Sequence, residues 1–278
     1  MPELFDVARH YDDTKVYDAY LGDFLFNGQF STFSESSPEG STSRKRILSL
    51  DPALTIPTRR AISLLGEAWL VAQGLVDGFN NVAIRRTFWL KLITDTCAML
   101  SPAAACLGSA GVDVKVFREE YKYTVNTGTD SQYDPFWSLS VAPVEGATRG
   151  TFFRIGSTLL RARMVALAKE GLHQVLCDQL DDGARTTAVF LTGTYNPITD
   201  SVSVGTTSAS AIIFDAYQYY NYATAADDRL HSGDKTMFVP VASVTPKVGM
   251  VIQALGRDWT VLTQQIEVDC WALHLRLK

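Results

Sequence analysis

The stretch GRDWTV, residues 256–261, has a close counterpart in GEAWLV, residues 66–71. Both stretches place a glycine three residues before a tryptophan and a valine two residues after it. Glycine supplies the positive φ that a tight hairpin turn requires, and tryptophan buries a large apolar area. The pattern therefore indicates two copies of one β-hairpin, each anchored in a core by its tryptophan.

The similarity continues past these six residues. In the later copy Trp271 lies five residues after Ile266, and in the earlier copy Trp89 lies five residues after Ile84. Glycine and isoleucine are 18 residues apart in the earlier copy and 10 in the later one. We interpret Gly74–Asn81, which is rich in Gly, Asp and Asn, as an inserted turn that accounts for this difference.

A weaker third copy lies between these two. The stretch RIGSTLLRARMVAL, residues 154–167, has Gly156 in the turn and Leu159 where the other copies carry tryptophan. We therefore interpret the chain as an internal repeat of one β unit. The predicted anchors of that repeat are Gly66, Trp69, Trp89, Gly156, Gly256, Trp259 and Trp271.

The 278 residues are enough for two or three small domains, and alternating apolar and polar runs dominate them. Helix signals are short. Ser101–Gly108 combines an N-cap serine, an early proline and a closing glycine, and Thr224–Asp227 opens a similar piece. The sequence predicts a mainly β fold with two to three tandem small β-barrel or sandwich modules and a few short helices. The predicted units are an N-terminal arm and polar loop over 1–48, a first β module with a short helical linker over 49–108, a second β module over 109–182 and a third over 183–278.

The formal net charge is −5 and the isoelectric point is near 5.4, which argues against a protein that coats nucleic acid over its whole surface. The four cysteines form no C-x-x-C pair, so we expect reduced, buried thiols in a protein made in the cytoplasm. The N-terminal residues MPELFDVARHYDD do not read as a secretory signal. The least polar stretch, Ala98–Val112, is too short and too rich in small residues to span a bilayer, so we expect a soluble protein and no membrane partner.

Motifs of catalytic and cofactor sites are absent from the sequence. It contains no phosphate-binding glycine loop, no serine-hydrolase elbow and no H-E-x-x-H zinc motif. The four histidines are far apart, and the three Asp-Asp pairs lie in settings where aspartate caps backbone groups. We therefore expect no catalytic residue, no cofactor and no metal. A hydrolase whose carboxylates come from separate segments stays a minor alternative.

Basic and aromatic side chains are the remaining candidates for contacts. Arginine pairs recur near predicted strand edges, where they either block unwanted strand pairing or contact an acidic partner or DNA phosphate. The aromatic run Tyr217–Tyr222 places large residues on both faces of a strand, which favours an interface. The candidate interface or DNA-channel contacts are Arg161, Arg163, Arg85, Arg86, Tyr217 and Tyr219.

A series of turns in the C-terminal part resembles a known family. A Tyr195-Asn196-Pro197 hairpin connection leads to a strand that starts at Gly233-Asp234-Lys235. A Pro246 to Gly249 turn and the final Gly256 to Val261 hairpin follow. In this order the segment resembles the neck proteins of tailed bacteriophages, the head–tail joining, adaptor and stopper proteins between portal and tail. Those proteins typically have a single such module, whereas this chain has two or three.

The resemblance implies a virion structural protein of the phage neck or tail, without enzymatic activity and assembled in the host bacterial cytoplasm. It implies a homo-oligomeric ring, six-fold or twelve-fold, around the DNA channel. Its partners would be other copies of itself, portal or adaptor and tail proteins, with non-specific contact to passing double-stranded DNA. The main alternative is a carbohydrate- or receptor-binding β-sandwich of a phage tail, which predicts Trp89 or Trp137 exposed in a groove.

Overall fold

The computed structural model describes residues 14–37, 40–49, 51, 53–79, 82–121, 136–168, 171–181, 184–196, 198, 201–216, 231 and 233–278. These residues form three closed antiparallel barrels of six strands each, together with a short α-helix and one 3₁₀ turn. The predicted fold class, mainly β with tandem small barrels, is confirmed. Closure leaves none of the barrel strands at a free sheet edge.

Each barrel takes six strands that follow one another in the chain. The first contains β1 (Thr14–Asp18), β2 (Phe24–Ser37), β3 (Gly40–Ser49), β4 (Ala61–Leu64), β5 (Glu67–Phe79) and β6 (Val82–Leu92). The second contains β7 (Asp95–Leu100), the helix α1 (Pro102–Leu107), β8 (Val112–Tyr121), β9 (Phe136–Val141), β10 (Phe152–Ile155), β11 (Thr158–Leu167) and β12 (His173–Asp181). The third contains β13 (Arg185–Asn196), β14 (Ser201–Asp215), β15 (Lys235–Pro240), β16 (Val251–Ala254), β17 (Arg257–Glu267) and β18 (Cys270–Leu277).

The three barrels share one topology. In each, the strands follow the closed order first, second, third, sixth, fifth, fourth, and the fourth strand pairs back onto the first. Each barrel also has its own core, with residues such as Phe88 in the first, Phe153 in the second and Phe190 in the third. The repeat inferred from the sequence is therefore a repeat of a complete barrel.

The barrels divide the chain at points that differ from the predicted boundaries. The segment 1–48 was predicted to be an arm and a polar loop, but β1, β2 and most of β3 lie in it and complete the first barrel. The polar loop predicted within this segment is also wrong, because residues 34–37 of β2 pair with residues 40–43 of β3, starting at Ser37 and Gly40. The strand β7 and helix α1, assigned to the first module, belong to the second barrel. Barrel closure depends on non-local pairing, which local polarity does not report.

The three predicted turn glycines lie in the same hairpin of each barrel, between the fourth and fifth strands. Gly66 and Gly256 are the second residue of a two-residue turn, with φ of 82° and 70°. Gly156 is the first residue of its turn, with φ of 58°. This shift by one position makes Leu160, and not Leu159, the counterpart of the two tryptophans.

The second tryptophan of each copy is not equivalent between the copies. Leu92 pairs with Trp69 and Leu277 pairs with Trp259, so these two ladders fix the alignment of the sixth strands. Counted from there, Trp89 corresponds to His274 and Trp271 corresponds to Arg86. The expected inserted turn is wrong as well, because residues 74–79 continue β5.

The short helix predicted after residue 101 is confirmed. The side chain of Ser101 accepts a hydrogen bond from the Ala104 amide at 3.2 Å, and Gly108 closes the helix with φ of 72°. The second predicted helix, Thr224–Asp227, lies outside the described residues.

Candidate functional site at the barrel junctions

Two junctions connect the barrels, and each has an apolar centre. At the first junction Leu70 of the first barrel and Leu172 of the second are buried together, with Trp89 and Phe117 packed against them. At the second junction the buried cluster contains residues of the second barrel, including its helix α1, and of the third barrel. Its members are Leu100, Ala105, Cys106, Phe152, Leu159 and Leu180 from the second barrel, and Ile212, Phe214, Phe238, Cys270 and Ala272 from the third.

The two junctions use equivalent positions. On the side of the earlier barrel, Ala61 pairs with Leu70 and Phe152 pairs with Arg161 at the same place in the fourth and fifth strands. We call this surface the forward face. It also includes Ile93, which follows the sixth strand of the first barrel, and the equivalent Leu180 of the second barrel. The same forward face thus packs onto the next barrel twice.

The later barrel also presents an equivalent surface each time. We call it the backward face, and it contains Phe117 and Leu172 in the second barrel and Ile212 and Cys270 in the third. The strand pairings establish this correspondence, because Phe117 and Ile212 pair with equivalent residues of the third strand. The chain is therefore a row of three barrels joined forward face to backward face.

A fork of hydrogen bonds surrounds the first junction. Arg59 donates from Nε and Nη2 to the two carboxylate oxygens of Glu145, at 2.7 and 3.1 Å, and its guanidinium lies 3.5 Å from the ring centre of Tyr20. The phenol oxygen of Tyr20 accepts a bond from the Lys115 amide at 2.9 Å. Burial raises the pKa of Tyr20 to about 12, so the phenol stays neutral beside Glu145. The fork links the two barrels by charge-assisted bonds.

The second junction contains a buried ion cluster. Arg161 is 1% exposed, donates from Nη2 to Glu267 of the third barrel at 3.0 Å, and lies 3.8 Å from Asp178 of its own barrel. Arg163 lies 3.3 Å from the same Asp178 carboxylate. The guanidinium of Arg161 also lies 5.3 Å from the ring centre of Phe238. Where the first junction has Leu70, the second thus has a cation that requires partners from both barrels.

The helix α1 also fixes the second junction. Its Ala103 amide donates to the Asp269 carboxylate at 2.9 Å, and Arg185 donates to the Ala105 carbonyl at 3.2 Å. Both partners lie in segments of the third barrel. The thiols of Cys106 and Cys270 meet beneath the helix, with their sulfur atoms 4.0 Å apart.

A separate polar cluster lies within the third barrel. Buried Asp234 accepts bonds from Arg276 Nε at 3.0 Å, Arg276 Nη2 at 2.9 Å and the His231 amide at 3.0 Å, and its Oδ2 lies 2.8 Å from His274 Nε2. Burial alone would raise the pKa of Asp234, but the bonds from Arg276, His231 and His274 outweigh it and lower that pKa to about 2. The cluster fixes the start of β15 to β18.

One exposed aliphatic residue recurs at an equivalent position of the fifth strand. Val76, Leu167 and Ile266 are each more than half exposed. Their partners on the sixth strands are likewise equivalent, namely Arg86, His173 and Trp271. An apolar position that stays exposed in all three copies marks a candidate contact surface.

A second set of exposed aliphatic residues lies at the hairpin turns. Leu65 and Leu255 precede the turn glycines of the first and third barrels, have φ of 51° and 53°, and are half exposed or more. Bulky residues rarely adopt positive φ, and such turns favour Asn or Asp at this position. The strain occurs twice at the same place, and we interpret it as the cost of presenting a leucine at the turn.

The arginines predicted to contact an interface or DNA lie in different surroundings. The expectation of a DNA-facing arginine is wrong for Arg161, because its side chain is buried and ion-paired between two barrels. Arg163 is largely buried beside Asp178. Arg86 is half-buried and donates to the Leu54 carbonyl at 2.6 Å, and Arg85 is half-buried on the same strand. Of the predicted interface tyrosines, Tyr217 and Tyr219 lie outside the described residues.

The predicted tryptophan anchors lie in different surroundings. Trp69 and Trp259 are buried in the cores of the first and third barrels. Trp89 is packed at the first junction, and Trp271 donates from Nε1 to the Val244 carbonyl at 3.0 Å. Trp137 donates to Gln179 at 2.7 Å, and Arg118 lies 4.6 Å from the centre of its ring.

The junction carboxylates were missed by the sequence reasoning. Glu145, Asp178 and Glu267 are isolated acidic residues in unremarkable surroundings, and Glu267 lies 106 residues from its partner Arg161. A recurring arginine in a strand otherwise rich in apolar residues was the one available signal. Only the pairing of the barrels identifies which carboxylates it meets.

Comparison with known proteins gave no match to a family model, a curated sequence or a solved structure. Within the described residues, no group of three or more His, Cys, Asp or Glu side chains is placed to hold a metal ion. None of the helices in the described part of the chain has the length and apolar character to cross a membrane.

Proposed function

We propose that the chain is a structural protein of the tailed-phage head–tail junction, whose copies assemble into a ring around the DNA channel. The observation that carries this proposal is the row of three equal barrels, each of which exposes an aliphatic residue at the same position. A row of equal units presents equally repeated contacts to a neighbouring copy. The resemblance of the C-terminal turns to phage neck proteins supplies the biological setting.

The junctions support this role because they hold the row together. A structural subunit must keep its contacts at fixed separations, and the arginine–carboxylate contacts at both junctions oppose sliding of one barrel on the next. Val76, Leu167 and Ile266 would then meet the neighbouring copy along its length. In a cyclic ring each contact joins different surfaces of two copies.

The charge of the chain is compatible with a channel for DNA. A formal net charge of −5 disfavours tight binding of phosphate along the whole surface. Arg161, one of the arginines predicted to contact an interface or DNA, is buried and pairs with Glu267 between the second and third barrels. We therefore propose loose, non-specific contact with passing DNA.

The carbohydrate-binding alternative is less favoured by the positions of the aromatic residues. It requires Trp89 or Trp137 to stand exposed in a groove. Trp89 instead packs against the first junction, and the indole of Trp137 is bonded to Gln179 and covered by Arg118.

Light scattering during size-exclusion chromatography, followed by negative-stain imaging, tests the proposal. We expect closed rings of the wild-type chain alone or on added portal or tail rings. The triple variant Val76→Gln, Leu167→Gln, Ile266→Gln should lose these rings. A matched control, Val112→Gln with Val144→Gln, changes exposed aliphatic residues outside the repeated position and should keep them. A wild-type chain that stays monomeric and binds neither portal nor tail rings would overturn the proposal.

A further inference from the structure

Two cysteines from different barrels face each other inside the second junction. Cys106 lies on α1 and Cys270 opens β18, and both side chains are fully buried. Their sulfur atoms are 4.0 Å apart, and the Cys106 thiol donates to the Phe238 carbonyl at 3.4 Å. A disulfide needs the sulfurs at about 2.05 Å, so a displacement of about 2 Å would bring them into bonding distance.

We propose that Cys106 and Cys270 form a redox-controlled cross-link that joins the second barrel to the third. The bond would connect residues 164 positions apart in the sequence, across the same surface that Arg161 and Glu267 hold by charge. A thiol pair made in a reducing compartment would close after transfer to an oxidising one.

The oxidant is a small-molecule disulfide such as oxidised glutathione. The Cys106 thiolate attacks one sulfur of the oxidant, the oxidant's S–S bond breaks, and one glutathione thiolate leaves and takes up a proton. The Cys270 thiolate then attacks the Cys106 sulfur of the mixed disulfide and expels the second glutathione. Two protein thiols lose two electrons in total, and one disulfide becomes two thiols.

The helix α1 determines access to this pair. It has six residues and exposes Leu107 on its outer side, so it is short enough to open without unfolding a barrel. The hydrogen bond with Cys106, together with burial, raises the pKa of the Cys270 thiol well above its usual range. Because the thiolate is the reactive form, oxidation proceeds through the opened helix and is slow while the junction is closed.

The other two cysteines provide an internal comparison. Cys97 and Cys177 lie in strands of the second barrel and belong to its interior core. Burial raises the pKa of Cys97 to about 12 and that of Cys177 well above the usual value. Exposure of these thiols requires opening of the barrel itself, so they should stay reduced when Cys106 and Cys270 react.

The test treats the full-length chain with oxidised glutathione, blocks remaining thiols with N-ethylmaleimide in denaturant, and maps the peptides by mass spectrometry. We expect a Cys106–Cys270 peptide, with Cys97 and Cys177 carrying maleimide. The thermal midpoint should rise by several degrees and return to its starting value with dithiothreitol. Cys106→Ala should show neither change, whereas Cys97→Ala should show both. Recovery of Cys106 and Cys270 as maleimide or separate glutathione adducts, or a cross-link elsewhere, would overturn the proposal.

Discussion

Replacing Arg161 with leucine, the residue at the equivalent position of the first junction, should strongly destabilise the chain. Arg161 is 1% exposed and bonded to Glu267 at 3.0 Å. Removing one member of a buried ion pair costs about 3–5 kcal/mol, because the other charge stays buried without compensation. Glu267 is 14% exposed and Asp178 keeps Arg163 at 3.3 Å, so we expect the lower end, about 3 kcal/mol.

A double-mutant cycle measures this effect by urea unfolding followed by circular dichroism. Glu267→Gln in the Arg161→Leu background removes the uncompensated charge and should recover about 1–2 kcal/mol. Arg257→Leu, the loss of an exposed arginine on β17, should stay within about 0.5 kcal/mol of the wild-type chain. A cost below about 1 kcal/mol for Arg161→Leu, or strict additivity with Glu267→Gln, would refute the view that this pair holds the junction.

Trp259→Phe removes the hydrogen bond from the indole to the Ala254 carbonyl, whereas the Trp69 indole has no partner among the described residues. In urea unfolding, Trp259→Phe should therefore lower the free energy of unfolding by about 1 kcal/mol more than Trp69→Phe does. Equal losses in the two variants would contradict this. Asp234 has a pKa lowered to about 2, so its charged form stabilises the fold above about pH 4 by about 2 kcal/mol, and this contribution is lost as the pH falls towards 2. Asp234→Asn should remove that acid-dependent change in unfolding titrations, and an unchanged profile would exclude the cluster as its source. Leu65→Asn should raise the stability measured by calorimetry by about 1 kcal/mol, because asparagine tolerates the positive φ; a less stable variant would exclude the proposed strain.

The hairpin repeat could be predicted from the sequence because a two-residue turn is a local structure. Gly66 and Gly256 sit where positive φ is required, and the tryptophan three residues later falls on the inner face of the fifth strand in both barrels. Helix α1 could be predicted for the same reason, because its capping residues Ser101 and Gly108 lie directly at its ends. These features depend on neighbours within a few residues, so the pattern of residue types was sufficient.

The alignment of the sixth strands could not be obtained in this way. Trp89 and Trp271 share a spacing from an isoleucine, but hairpin length and bulges differ between the barrels, so equal spacing did not mean equal position. Polar residues in β2 and β3 made a strand pair resemble a loop for a similar reason. Ladder pairing decides both cases, because β3 pairs with β6 as well as with β2, and that second partner is distant in sequence.

The junction chemistry was beyond sequence reasoning for another reason. An arginine in a strand is consistent with an exposed edge, a DNA contact or a buried ion pair, and only the position of its partners distinguishes these. Arg161 finds one carboxylate 17 residues away and another 106 residues away. The sequence gives the charged residues, but only the fold determines which of them form ion pairs.

The forward face of the third barrel is more polar than that of the first barrel. Val251 occupies the position of Ala61 and Phe152 in the earlier barrels. Thr260 occupies the position of Leu70 and Arg161. Lys278 occupies the position of Ile93 and Leu180. Val251 and Thr260 are half-buried, and Lys278 is exposed. A barrel of another copy packed on this face would gain less apolar burial than Leu70 provides and would have to desolvate the ammonium group of Lys278. In the proposed ring, the copies should therefore meet through the sides of the row, where Val76, Leu167 and Ile266 lie, and not through this face.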